Sequence, residues 1–497
     1  MNTSLKKVIG IILLGVLVLA TISALIQSRR GKILQQEVAD TRRELREHGF
    51  KTDLADFNFH TDAAMQARAS ALIIFGYKSP GDIQNESVDL MSRVADDAVS
   101  VVWNQDWLKV GSQTIQWADL NQSLETNRLL LDIACAAALS GPIRFDLEAG
   151  RGGGMTLKHL PPLEQLARSF NHRLLVELHD GHFDLAWTNL LAATRLVTAW
   201  EPEPDEISHK ERFTLTALAF AATWQALQAH QFSDAQLDRL QTEWQSVNFF
   251  TNLAETVAFA RASGAVSIQR TRLQPIPARF SLAGLLQDPL KSPRLAWANL
   301  MFYDNFLRYR VHDSYVDEKN LLLFDSHLES ELRVAYRASN WLQMRSMPGV
   351  MTNAPYSSPL RPRPPAYNNI VEIAEAMMDH GTSFIARAAE AEARRDILLT
   401  ALALERYRLV YGFYPFTLDG LPDNFKKTAP MDFMDGRPLR YQFTSDGHFV
   451  LYSVGLDCMD DGGKLPLPNA PRIPKGSNGY ELVPTNVDLV WPRPATP

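Results

Sequence analysis

Residues 8–26, VIGIILLGVLVLATISALI, run for 19 residues without a charge. At a helical rise of about 1.5 Å per residue the stretch spans roughly 28 Å, close to the ~30 Å hydrocarbon core of a bilayer, so it reads as one membrane helix. Lys6 and Lys7 precede it, as in the n-region of a signal peptide, and Thr21, Ile22 and Ser23 offer small side chains to a peptidase. The run exceeds the usual h-region of about 7 to 15 residues, which favours an uncleaved anchor. Arg29, Arg30 and Lys32 on its far side favour a cytoplasmic body by the charge rule. Long domains cross largely regardless of such charges, and the expectation is a single-pass protein of the inner (cytoplasmic) membrane with its body outside the cytoplasm.

A chain of 497 residues exceeds what one hydrophobic core usually serves, and its 46% hydrophobic content is ample for two or three domains. With 50 basic and 56 acidic residues spread along it, no field gathers nucleic acid, so nucleic-acid binding is not expected. Cys135 and Cys458 are the only cysteines, too few for a disulfide framework.

The fold class read from the pattern is mainly α: a membrane helix (1–27), a helical stalk (28–50), an α-helical body (51–352), a Pro-rich linker (353–369) and a long helix with a short antiparallel sheet (370–497). In the stalk, strong helix formers from Ile33 to His48 stop at Gly49, and their charges make a solvated face. In the body, Leu163, Leu166, Phe170, Leu174 and Leu178 mark one helix face, Gly181 breaks it, and Phe183, Trp187, Leu190, Leu191 and Val197 mark the next. Two such helices pack as an antiparallel hairpin. Ser233 opens a further helix as an N-cap, and the helix pairs suggest an irregular solenoid-like array without a strict repeat. Glu201-Pro202-Glu203-Pro204 reads as a loop between pairs, because proline there forbids helix. Five prolines in 353–369 mark a domain boundary. Beyond Gly412 the pattern becomes β, with strands over 439–443 and 448–454 joined by Ser445-Asp446-Gly447.

The order Tyr407, Tyr411-Gly412-Phe413-Tyr414-Pro415, then Asp435-Gly436-Arg437-Pro438-Leu439-Arg440-Tyr441, then Leu451-Tyr452-Ser453-Val454-Gly455-Leu456-Asp457 carries the most specific signal. It resembles the C-terminal part of the major pseudopilins of type II secretion, over roughly the last hundred residues. The resemblance implies a helix ending in a tyrosine-rich corner, a small antiparallel sheet and a calcium-binding loop. In this sequence the loop's oxygens are Asp457, Asp460 and Asp461, with Asp488 closing it from the far side. The spacing is not that of an EF-hand, Cys458 stands where glycine usually follows the aspartate, and aspartates that cap turns are the alternative reading. Pseudopilins also carry their apolar segment on the helix that enters the sheet, behind a processing site, and neither feature is present. The whole chain is similar to membrane-anchored bacterial proteins that join a helical body to such a tail.

No catalytic signature stands out. Gly152-Gly153-Gly154 lacks the Lys-Ser/Thr of a phosphate loop, His172, His179 and His182 lack a third metal ligand, and no G-x-S-x-G elbow occurs. Cys135 in an apolar helical run reads as an inert thiol, Glu405 as a solvated or tyrosine-bonded carboxylate, and Trp187, Trp200, Trp224 and Trp244 as core. The expectation is a non-enzymatic envelope protein that binds a protein partner or acts as a scaffold. An envelope hydrolase with a site in the body, or a component of a secretion-like assembly, stays open. Protease accessibility in intact and permeabilised cells reads the orientation: an extracytoplasmic body is cut while the cytoplasmic membrane is still closed.

Overall fold

At Gly181 the chain turns back with a φ of 76°, a conformation that favours a residue without a Cβ. The turn joins α5 (Leu160–His179) to α6 (Phe183–Thr198), which pack against each other at the centre of the body. A computed structural model describes residues 26, 28–78, 88–110, 113–147, 157–274, 306, 308–350, 382–426, 429–465 and 487–495. Around the hairpin lie α1 (28–47), α2 (Ala63–Lys78), α3 (Trp117–Glu125), α4 (Arg128–Leu139), α7 (Glu206–Leu227) and α8 (Asp234–Gln245). Then come α9 (Glu255–Leu273), α10 (Ser314–Ala335), the single-turn α11 (Trp341–Met344) and α12 (Thr382–Tyr411). The protein is mainly helical with a small antiparallel sheet toward its C-terminus, as the patterning predicts.

The anchor, residues 8–26, lies outside the described residues but for Ile26, as do the Pro-rich segment 353–369 and Gly152 to Gly154. Among the described residues no helix is long and apolar enough to cross a membrane. On either side of the Pro-rich segment the chain enters the same core, which runs from Leu72 in α2 to Trp491 near the C-terminus. Helix α12 packs on both α7 and α8. Ser233 caps α8 as expected, its hydroxyl accepting the Gln236 amide in a capping box.

The stalk helix differs from its expected solvated face. Val38 and Leu45 of α1 pack on Leu322 of α10, and the Arg42 guanidinium reaches Glu318 at 2.6 Å. Glu318 is shared with Arg272 at 2.6 Å, and the two guanidiniums hold its carboxyl below the usual range against the effect of burial. A charge alternation that reads as surface thus serves as the joint between α1 and the α9–α10 pair.

Helix α12 is buried on almost all sides from Phe384 to Arg406. It ends at Gly412, with a φ of 82°, and the chain turns at Pro415 into β5 (Arg440–Phe443), β6 (Phe449–Ser453) and β7 (Leu489–Trp491), an antiparallel sheet in that order. The β5–β6 hairpin pairs Phe443 with Phe449 across the Ser445-Asp446-Gly447 turn.

Sequence periodicity did not announce the strands inside the body. The β1 (Arg93–Ala95) and β2 (Ala98–Val99) pair takes up β8 (Arg493–Pro494), which runs parallel to β2, and β3 (Leu108–Val110) pairs with β4 (Gln113–Ile115). Two- and three-residue strands are too short to carry an alternation. A single buried amide fixes the first of these segments to α7. Gln225 donates to the carbonyls of Leu90 (2.7 Å) and Ser100 (3.2 Å) and accepts the Val102 amide (3.0 Å). Beside it, the Trp224 indole donates to Pro492 at 2.8 Å. Gln225→Ala strands three buried backbone groups and should lower stability by about 2–4 kcal/mol in urea unfolding, with residues 88–102 losing hydrogen-exchange protection first.

Candidate functional site

Four connections meet at one end of the helical body and enclose a cleft of about 530 Å³. They are the α1–α2 segment (Lys51, Phe57 and Phe59), Arg144 and Phe145 before α5, the α6–α7 loop (Thr198 to Pro204) and the α8–α9 loop (Ser246 to Asn252). His209 and Arg212, one turn apart on α7, form the remaining wall.

Each connection is fixed by its own chemistry. A short parallel bridge holds the α6–α7 loop: the Ile143 amide donates to Ala199 (2.8 Å) and the Glu201 amide to Ile143 (3.0 Å). Asp205 then caps α7, accepting the Ile207 amide at 2.8 Å. The α8–α9 loop is an Asx turn in which Asn248 Oδ1 accepts the amides of Phe250 (2.8 Å) and Thr251 (3.1 Å). It continues through Asn252 at a φ of 60°. The loop is also tied to α12, because Glu392 accepts the Phe249 amide at 3.1 Å and Arg395 donates to the Val247 carbonyl. Arg261, itself paired with Glu329 at 2.8 Å, donates to the Lys51 carbonyl at 3.0 Å and so positions the first connection.

The lining carboxylates all have cationic or imidazole neighbours. Glu255 lies 2.9 Å from the Lys51 amine, and Glu201 lies 3.4 Å from Arg144. Glu203 Oε1 lies 3.2 Å from His159 Nε2, although the angle is poor and neither Glu203 oxygen has a hydrogen-bond partner among the described residues. The His159 ring stacks on Phe145 with centroids 4.2 Å apart, and the Trp200 edge meets both rings. On the far side of Phe145 a second cavity, of about 380 Å³, is lined by Thr61, Asp146, Lys158 and His159. Burial and the neighbouring Arg212 charge push His209 down to about 3, so its imidazole is neutral at physiological pH.

The sequence-expected loop is elsewhere, at the rim of the β5–β6–β7 sheet. Asp457 caps its own turn, accepting the Met459 amide at 3.0 Å. Asp460 accepts the Gly462 amide (3.0 Å) and the Tyr452 hydroxyl (3.1 Å). Asp488 is buried and accepts the amides of Gly463 (2.8 Å) and Asp461 (3.4 Å). The turn therefore brings Asp460, Asp461 and Asp488 near one another, while Asp457 sits by α11, its carbonyl accepting from Arg345 at 3.3 Å. The hydrogen bonds seen are those of turn capping. Among the described residues no group of three or more His, Cys, Asp or Glu side chains forms a metal-holding cluster. Cys458 adopts the left-handed conformation, φ 62°, that glycine would take there with less strain.

Of the other described side chains weighed for chemistry in the sequence, Trp200 alone lines the cleft. His172 is buried and pushed down to about 4 by desolvation, His179 Nδ1 donates to the Trp103 carbonyl (3.0 Å), and His182 meets Glu177 (3.0 Å). Trp187, Trp224 and Trp244 are core, and Trp200 is core at the cleft's floor. Burial pushes the Cys135 thiol up to about 11. Glu405 is buried and bonded to the Tyr414 hydroxyl and Arg408, the tyrosine-bonded alternative. The cleft residues His159, His209 and Arg212 were not singled out. The Glu201-Pro202-Glu203-Pro204 run ahead of α7 reads only as a loop between helix pairs.

The chain matches no known protein family, no curated protein and no solved structure.

Desolvation and the nearby charges of Asp461 and Asp460 push Asp488 up to about 6, against the two amides that favour its anion. A carboxyl raised in the fold stabilises it when protonated; that contribution is complete below about pH 4 and is lost as pH rises through about 6. Asp488→Asn should therefore gain on the wild type by about 1–3 kcal/mol at pH 7.5 and by nothing at pH 4, read as the difference in melting temperature.

Proposed function

We propose that this is a membrane-tethered binding protein of the cell envelope whose ligand site is the cleft at the α6–α7 and α8–α9 end of the helical body. The observation that carries the reading is the cleft itself. Its volume of about 530 Å³ falls in the range of small-molecule sites, roughly 300–1,000 Å³, and its lining mixes aromatic rings with hydrogen-bonding and charged groups. The 19-residue uncharged run supports the tether.

Binding is favoured over catalysis by how the acids are engaged. General acid–base chemistry needs a carboxyl or imidazole within reach of substrate and poised near the working pH. Here Glu255 and Glu201 face cations, Glu203 and His159 face each other beneath the surface, and His209 is held neutral. The C-terminal unit, with its helix, Gly412–Pro415 corner and small sheet, supports a pseudopilin-like module on a helical array. In pseudopilins the helix is what packs into a filament. The same helix in this chain is already enclosed by α7 and α8, which favours a binding protein over a filament subunit.

The test is hydrogen exchange of the full chain in detergent with a digest of cell-wall glycan and peptide fragments. Slower exchange at residues 198–204 and 246–252 is the expected result; no change there with any fraction sinks the reading. If the digest is instead consumed, and Glu203→Gln abolishes that, the hydrolase reading replaces it.

A further inference from the structure

We infer that the cleft is selective for a small carboxylate- or phosphate-bearing ligand, whose oxyanion sits on Arg212. The inference rests on the cleft being a binding site and specifies the chemistry of what it takes.

The lining holds three fixed cations, Lys51, Arg144 and Arg212. Two of them have an acid in contact, Lys51 with Glu255 and Arg144 with Glu201. The third acid, Glu203, faces His159. Arg212 is left over. Among the described residues its guanidinium makes one hydrogen bond, from Nε to the Val197 carbonyl at 2.9 Å, and lies 5.3 Å from the centre of the Phe249 ring. The Glu392 carboxylate that it feels at longer range is committed elsewhere, to Arg395 at 2.8 Å and the Phe249 amide at 3.1 Å. Nε anchored and the ring behind it fix the plane of the fork, leaving the terminal nitrogens for a second partner. That is the arrangement in which arginine reads a planar or tetrahedral oxyanion with two parallel hydrogen bonds.

The energetics agree. Desolvation outweighs the attraction of Glu392 and Glu201 and brings Arg212 down to about 10, so it remains charged at neutral pH but under-compensated. An anion in the cleft supplies the missing compensation. His209, one turn earlier and neutral, offers a ring nitrogen without adding competing charge. Asn248, whose Oδ1 is used by two backbone amides, retains its Nδ2 as a donor on the opposite side. The aromatic residues Phe57, Phe59 and Trp200, with Pro202 and Pro204, leave an apolar wall for the body of the ligand.

Phenylglyoxal labelling of the full chain, mapped by peptide mass, tests this without a variant. Arg212 lines the cleft, so the reagent should reach and label it in the free protein. Phosphate at about 10 mM, with ionic strength held by chloride, should slow Arg212 labelling at least tenfold and raise the melting temperature. Acetate under the same conditions separates the two sources: protection by acetate alone assigns a carboxylate, by phosphate alone a phosphoryl group, and either supports the inference. Arg212→Met should lose the thermal shift, and Arg212→Lys should retain part of it. Should Arg212→Met not fold, the labelling result on the wild type decides. Equal labelling with and without both anions overturns the inference. If neutral sugars or uncharged peptides nevertheless slow exchange at residues 246–252, the cleft still binds and only its anion selectivity falls; if nothing does, both readings fall.

Discussion

The enclosure of α12 by the body is the constraint on which the rest depends. A helix buried on nearly every side needs its charges answered from within, and several here are. Arg406 is met by Asp234 (2.6 Å), Asp238 (2.7 Å) and Gln241 (2.8 Å) from α8. Glu392 and Arg395 hold the backbone of the α8–α9 loop. The same contacts that make the helix tolerable in the interior set the position of the loop that walls the cleft. Removing one partner of such a pair leaves a buried charge alone, which typically costs about 3–5 kcal/mol, so cleft geometry and global stability are tied together.

A second set of buried ions does comparable work for the α1–α2 segment of the same cleft. Arg261 and Glu329 are both inaccessible to solvent, and Arg42, Glu318 and Arg272 form a chain through α1, α10 and α9. Apolar residues of the same volume would join these helices about as well or better, since a buried pair gains little net energy. What ions add is direction. Arg261 pairs with Glu329 while it donates to the Lys51 carbonyl, and this holds residue 51 where it lines the cleft.

Helices with full apolar stripes were legible in the sequence, because α5 and α6 state their period over four or more turns and Gly181 marks the break. The β5–β6 hairpin was legible for a similar reason: Asp446-Gly447 specifies the turn and Phe449 to Ser453 the strand. The parts that escaped are those whose partners lie far away in sequence. Nothing near Ala98 predicts pairing with Arg493, and nothing near Arg212 says that it will lie over the Phe249 ring in the wall of a cleft. Charges on α1 read as solvated because only the tertiary fold brings Glu318 to Arg42. The cleft is built from side chains contributed by four separate connections, and periodicity carries no information about which connections converge.

The pairing of β8 with β2 joins residues 493 and 494 to residues 98 and 99, and Leu465 and Arg493 add backbone bonds to Asp96 and Asp97. The sheet that holds residues 93–99 is therefore not complete until residues 493 and 494 have been synthesised. Such long-range closure slows folding and leaves the nascent polypeptide open while it emerges. Were the chain exported as we propose, this late pairing would keep residues 88–102 threadable until residues 493 and 494 had crossed and locked them in place.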